Sequence, residues 1–243
     1  MARTAKRDPD GDRRVLARPL DMLVFLLPLI LFYEFASFAH PGSFVRADRV
    51  IAFDVMWRFF ALFGQVGVWT PALTIIAILF ATQMASGEKW SVHWKRVLTM
   101  YPESVVLALP LLLMIWAVPL AAASHEAPVL DRVALGIGAG VYEELVFRLI
   151  LISLIMMIGA DLLHYDRKNV IICAIAVSSL LFAAHHHRPF GADAFDPVRF
   201  IFRTAAGAYL AAIFWYRGYA LAAGCHAAYN VSLAVLSAFV LRG

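Results

Sequence analysis

The sequence predicts an all-α protein, a polytopic bundle of transmembrane helices. Three observations carry that reading. Hydrophobic residues make up 62% of the 243-residue chain and charged residues only 16%, with a mean hydropathy of +0.76; an ordinary soluble domain carries about 25% charged residues. The apolar residues come in runs of about 20, the length that crosses the hydrocarbon core as a helix. Lys and Arg gather at the ends of those runs, where a membrane protein keeps its topology determinants. So much apolar surface must use lipid as solvent, which excludes a soluble enzyme, a nucleic-acid-binding module and a disordered chain. The net charge of +4 does not reopen the nucleic-acid reading, because six of the 21 basic residues lie in the first 18 positions and many of the others flank apolar runs.

The runs fall at 19–39, 66–86, 102–123, 133–158, 169–187, 199–216 and 219–241, which gives seven spans. The first is longer than a signal-peptide core and lacks a small-residue cleavage site, so it reads as an uncleaved span. Segment 50–64 is the ambiguous one. Asp54 and Arg58 are spaced to pair on one helix face, and Phe53, Trp57, Phe59, Phe60 and Phe63 surround them. An interfacial helix is the preferred reading; crossing the membrane would make it an eighth span.

Charge sets the orientation. Arg3, Lys6, Arg7, Arg13, Arg14 and Arg18 precede the first span, Lys89, Lys95 and Arg96 follow the second, and Arg167 and Lys168 follow the fourth. Seven spans put all three groups on one side, with the N-terminus inside. Eight would separate the first two groups, which favours the interfacial reading of 50–64. The organisation expected is a basic cytoplasmic tail at 1–18 and one transmembrane domain over 19–243. The compact chain without organelle signals suggests a bacterial inner membrane.

Ionisable residues inside apolar helices cost about 2.5–3.5 kcal/mol each on insertion scales and usually mark function. The fourth span holds three, Glu143, Glu144 and Arg148, after Tyr142. Glu144 and Arg148 are four apart with the acid first, the favourable order for a helix ion pair. Glu143 points about 100° away and has no local partner. A desolvated carboxylate of that kind is suited to general acid–base work. Gly136, Gly138 and Gly140, just upstream, allow another helix backbone to approach closely.

The fifth span ends in Phe182-Ala-Ala-His185-His186-His187, and the seventh contains His226 and Asn230. His186 lies one turn beyond Phe182; for His185 and His187 a hydrated cluster at the membrane surface is the preferred reading. His226 and Asn230 share a face and can both donate hydrogen bonds in a dry bundle. Alone they read as glue between helices. With the glutamates they make a base, a proton shuttle and hydrogen-bond donors, the parts needed for water attack on an amide.

These residues resemble the motifs of the CPBP family, the CAAX proteases and bacteriocin-processing enzymes also called Abi proteins. Glu143-Glu144-x-x-x-Arg148, Phe182-x-x-x-His186 and His226-x-x-x-Asn230 follow the family's three patterns in order, within roughly 133–235. Ser178 and Ser179 before Phe182 also look like the family. The resemblance implies a CAAX-protease-like glutamate-type intramembrane endopeptidase, acting without metal or other cofactor on a membrane-tethered protein or peptide. It implies that Glu143 and His186 activate water, that His226 and Asn230 hold the oxyanion, and that Glu144 and Arg148 support the site. His185 and Tyr142 are secondary candidates; His185 would replace His186 if the helix unwinds there. The bilayer is the other partner expected, nucleic acid is not, and nothing in the chain specifies an oligomeric state.

Other chemistries lack their parts. His125-Glu126 has no second histidine at zinc-protease spacing. Ala85-Ser86-Gly87 lacks the glycine of a rhomboid-like nucleophile, Cys225 and His226 point to different helix faces, and Asp54 is the sole candidate for an aspartyl pair. Cys173 and Cys225 both lie in apolar stretches and make neither a disulfide framework nor a four-cysteine zinc site. The alternative is a non-proteolytic membrane protein, such as an immunity factor, a scaffold or a proton-coupled transporter, that uses the same buried network. Glu34 and Arg203, in other apolar spans, favour a relay; Asn230, which does not titrate, favours an oxyanion site.

Overall fold

A computed structural model describes residues 18–40, 70–115, 128–191 and 193–240. The tail up to residue 17, the 50–64 segment with Asp54 and Arg58, and His125-Glu126 lie outside the described residues. Among the described residues seven helices follow in order: α1 Pro19–Ala39, α2 Thr70–Ser86, α3 Trp94–Ile115, α4 Val129–Leu162, α5 Arg167–Ala184, α6 Pro197–Arg217 and α7 Tyr219–Val240. No sheet occurs among the described residues; His187 and Asp193 form an isolated bridge.

Local chemistry starts these helices where they start. Asp166 and Asp196 each accept a backbone N–H three residues on, from Asn169 at 3.0 Å and Arg199 at 2.9 Å, capping α5 and α6. Pro19 and Pro197 occupy first-turn positions, where a missing N–H costs nothing. Gly218, at φ 92°, ends α6 and leads directly into α7, a backbone angle that favours glycine.

Six of the seven helices are long and apolar enough to cross a membrane, and their outward faces carry large apolar side chains such as Leu31, Phe35, Val106, Leu113 and Phe239. The chain is therefore a multi-pass membrane protein by length and composition. The helix expected over 66–86 is described from Thr70 and has 17 residues, which puts six spans rather than seven on view. The helix expected over 102–123 is Trp94–Ile115. Lys95 and Arg96, taken as loop residues, lie in its first turns, and Pro102, taken as its start, lies inside it. The fourth run, expected at 133–158, is longer at both ends. Beyond Glu144 it widens into π-helical turns over Leu145–Ile152 and Met157–Leu162; Leu163 N–H, for instance, bonds the Ile158 carbonyl five residues back at 2.9 Å.

α7 packs against α4 along glycine. A Cβ on Gly140 would sit 2.5 Å from the Ala227 backbone nitrogen, and one on Gly136 would sit 2.9 Å from the Asn230 Cβ. Gly138 faces α1 instead, where the Tyr33 ring fills the space. The glycine stripe thus lets two neighbours approach α4 at the turns just before Glu143, and that is how the site is assembled.

Candidate active site

Desolvation makes an unpaired buried charge expensive, so each ionisable group inside this bundle needs partners. Arg148 and Glu144 have no exposed side-chain surface. Arg148 Nη1 donates to Glu144 Oε1 at 2.9 Å and Nη2 to the Gly207 carbonyl of α6 at 3.0 Å, and its guanidinium lies 4.3 Å from the centre of the Phe182 ring. His226 Nδ1 meets the same Glu144 Oε1 at 2.9 Å. One carboxylate thus ties α4 to α7 while its arginine reaches α5 and α6.

Glu143 faces the other way, 6% exposed, toward three imidazoles. Its Oε1 lies 3.5 Å from His185 Nε2, and its Oε2 lies 4.0 Å from His186 Nε2 and 3.9 Å from His226 Nε2. The two adjacent histidines reach the same carboxylate because α5 stops at Ala184 instead of continuing to residue 187. The reason is at the helix end. The backbone N–H groups of His185, His186 and His187 bond Leu181, Ala183 and Ala184, which leaves the Phe182 carbonyl to accept from His185 Nδ1 at 2.5 Å and His186 Nδ1 at 2.9 Å. A carbonyl can only accept, so both Nδ1 atoms carry the hydrogen, and in the neutral rings Nε2 turns its lone pair toward Glu143.

This corrects the reading of His185 and His187 as a hydrated surface cluster. His185 is largely buried against Glu143. His187 is buried as well, its Nδ1 donating to the Ala194 carbonyl at 3.1 Å. The loop after α5 folds back over the turn: Asp193 N–H donates to the His186 carbonyl at 3.2 Å and Arg188 N–H to the Asp193 carbonyl at 2.8 Å. A Cβ on Gly191 would sit 2.3 Å from the His186 carbonyl group. From α6, Arg203 donates to Asp193 Oδ2 at 2.6 Å and contacts His187 Nε2 at 3.5 Å. Asp193 was not singled out in the sequence. The signal for it is faint, an acid in a loop that follows the histidines.

The remaining candidates lie at the margins. Asn230 Nδ2 donates to the Gly136 carbonyl at 3.2 Å, on the α7 face that carries His226. Tyr142 donates to Glu34 Oε1 of α1 at 2.6 Å, inside the core. Glu34 and Arg203 therefore each have a partner, Tyr142 of α4 and Asp193 of the loop after α5. Glu143, His185 and His186 together offer three ligand atoms within 4.8 Å of one another, a set that could hold a metal ion.

Nothing among curated proteins and nothing among solved structures matches the chain. A family model described as "Type II CAAX prenyl endopeptidase Rce1-like" matches residues 125–232. Over that segment the chain is similar to the CPBP family. The match begins just before α4 and ends in α7, so it takes in both glutamates, the histidine turn, His226 and Asn230. That likeness points to an intramembrane protease acting on a protein or peptide, and the buried cluster of Glu143, His185, His186 and His226 is consistent with it.

Proposed function

We propose that the chain is an intramembrane endopeptidase in which Glu143 activates water against a peptide bond. The observation that carries the reading is the convergence of three Nε2 atoms on one buried carboxylate at 3.5–4.0 Å. The 3.9–4.0 Å separations to His226 and His186 are long for direct hydrogen bonds and approach the spacing of two groups that share a water. A water donating to Glu143 and to His186 is oriented by both. Glu143 takes one of its protons as the oxygen attacks the carbonyl carbon, and the π bond electrons move onto the carbonyl oxygen. That oxyanion is held by His226 and Asn230. His226 donates from Nε2 when the His226–Glu144 pair carries a second proton, and Asn230 has a second amide hydrogen besides the one given to Gly136. Collapse breaks the C–N bond, and the proton on Glu143 passes to the leaving amine, with His186 as the shuttle. No covalent intermediate forms and no cofactor is required.

The substrate is a membrane-tethered protein or peptide, cut near a hydrophobic or lipid-bearing end. A prenylated CAAX tail, a bacteriocin leader and a C-terminal sorting segment are the classes this chemistry accommodates. In this account the second run completes a seventh span, segment 50–64 lies in the interface, residues 1–18 form a basic cytoplasmic tail, and the protein resides in a bacterial inner membrane. The test is a comparison of membrane-protein termini by mass spectrometry in cells carrying wild type or Glu143→Gln at equal abundance. A discrete set of termini lost in the variant supports the reading and names the substrates. Identical sets, together with unchanged cleavage of a prenylated CAAX peptide by the purified variant, overturn it.

A further inference from the structure

His185 is more than the three-motif chemistry needs, and its position is not that of a bystander. Its Nε2 and Glu143 Oε2 are buried and have no hydrogen-bond partner among the described residues. The Nδ1 atoms of His185 and His186 are both committed to the Phe182 carbonyl, an arrangement that fixes the tautomer and aims both Nε2 lone pairs inward, as the outer partners of metal-bound histidines do. With Glu143 these make two imidazole nitrogens and one carboxylate oxygen, all within 4.8 Å. In a tetrahedral zinc site with bonds of about 2.0–2.1 Å, ligand atoms stand about 3.3 Å apart. His185 Nε2 lies 3.5 Å from Glu143 Oε1, already close to that, and His186 Nε2 lies 4.0 Å from the other carboxylate oxygen, Oε2, so an ion would draw the two imidazoles together across the carboxylate.

We propose that Glu143, His185 and His186 form a binding site for a divalent transition ion of the zinc class, and that the bound ion silences the peptidase. The inference rests on the reading of Glu143 as the base. An ion held by Glu143 takes the lone pair that must accept the water's proton, and it occupies the position of that water. Imidazole and carboxylate donors select zinc, cobalt or nickel over magnesium and calcium, which prefer all-oxygen sites. His187 takes no part, because its Nδ1 is donated to Ala194 and its Nε2 faces Arg203.

The experiment uses the full chain purified in detergent and freed of metal with a chelator. Cobalt(II) is titrated and followed by its visible absorption, with zinc as competitor. Cleavage of a prenylated CAAX peptide is measured on the same samples. The expected result is one ion per chain, with affinity weakened at least about tenfold by His185→Asn and by Glu143→Gln and unchanged by His187→Asn. Zinc inhibits the wild type reversibly, and the inhibitory concentration rises at least about tenfold in His185→Asn. Unchanged binding in both His185→Asn and Glu143→Gln overturns the proposal, as does zinc activating the enzyme. The two readings fail separately. Cleavage without saturable metal binding sinks the metal site alone, whereas a protein that binds cobalt through these residues yet cleaves nothing sinks the peptidase reading.

Discussion

His226 Nδ1 lies 2.9 Å from Glu144 Oε1, the same oxygen that accepts Arg148 Nη1 at 2.9 Å. A single buried oxygen thus joins α4 to α7 and sets the His226 ring so that its Nε2 faces Glu143. In the proposed mechanism Glu144 orients while Glu143 reacts, a division that follows from their neighbouring positions on one helix.

Breaking that arrangement should be costly. Arg148→Leu leaves Glu144 buried without its cation, a change that destabilises by about 3–5 kcal/mol. The expected outcome is a lower apparent unfolding temperature in detergent together with loss of cleavage. Thermal unfolding of the purified variant checks it, and a variant as stable as wild type would contradict the role given to the pair.

Asn230→Ala should act mainly on the reaction. Removing one oxyanion donor costs on the order of 100-fold or more in rate, whereas the lost bond to the Gly136 carbonyl is a single part-buried hydrogen bond, worth about 0.5–1.5 kcal/mol. Steady-state kinetics on the purified variant should show a fall in kcat with little change in KM.

Gly140→Ala places a methyl group 2.5 Å from the Ala227 backbone nitrogen. Neither backbone can yield locally, so α4 and α7 must separate. Overpacking of this kind costs about 1–3 kcal/mol, and the separation moves His226 away from Glu143. Reduced stability and reduced activity are expected together. Gly87→Ala is the contrasting change: its added methyl meets nothing within 4 Å, its positive φ of 67° supplies the only strain, and activity should persist.

The loop that covers the histidine turn should respond to acid. Burial raises the Asp193 carboxyl, but the hydrogen bond and charge of Arg203, with Arg199 and His186 adding to them, outweigh burial and hold it below the usual aspartate range. A depressed folded value means that the contribution is present above the ordinary aspartate pKa and is lost as pH falls through the depressed one. Hydrogen exchange of the Arg188 amide, which donates to the Asp193 carbonyl, should therefore accelerate as pH drops below about 4, beyond the intrinsic pH dependence of exchange. Asp193→Asn should remove that excess response.

Much of this was legible in the sequence where a single helix decides the geometry. The one-residue offset between Glu143 and Glu144 separates their directions, and the glycines at 136 and 140 announce a close approach whatever the partner. What depends on a helix ending was not legible. Periodicity carries α5 on to residue 187; the helix stops at Ala184, ahead of Pro189, where two imidazoles take the Phe182 carbonyl in place of a backbone amide and His185 turns inward. The placement of α3 failed for a similar reason. Lys95 and Arg96 read as loop residues by charge, yet charged side chains are at home in the first turns of a span, where they reach the interface. Asp193 left only a faint signal because its partner, Arg203, sits on another helix.

The central claim is that the Glu143 carboxylate is the base, and the most direct measurement is the cleavage rate of purified Glu143→Gln on a membrane-anchored peptide, with wild-type folding verified by thermal unfolding. The account predicts a loss of at least about 100-fold, in the range of general-base catalysis, in a protein as stable as wild type. A folded Glu143→Gln variant that cleaves at the wild-type rate would contradict it.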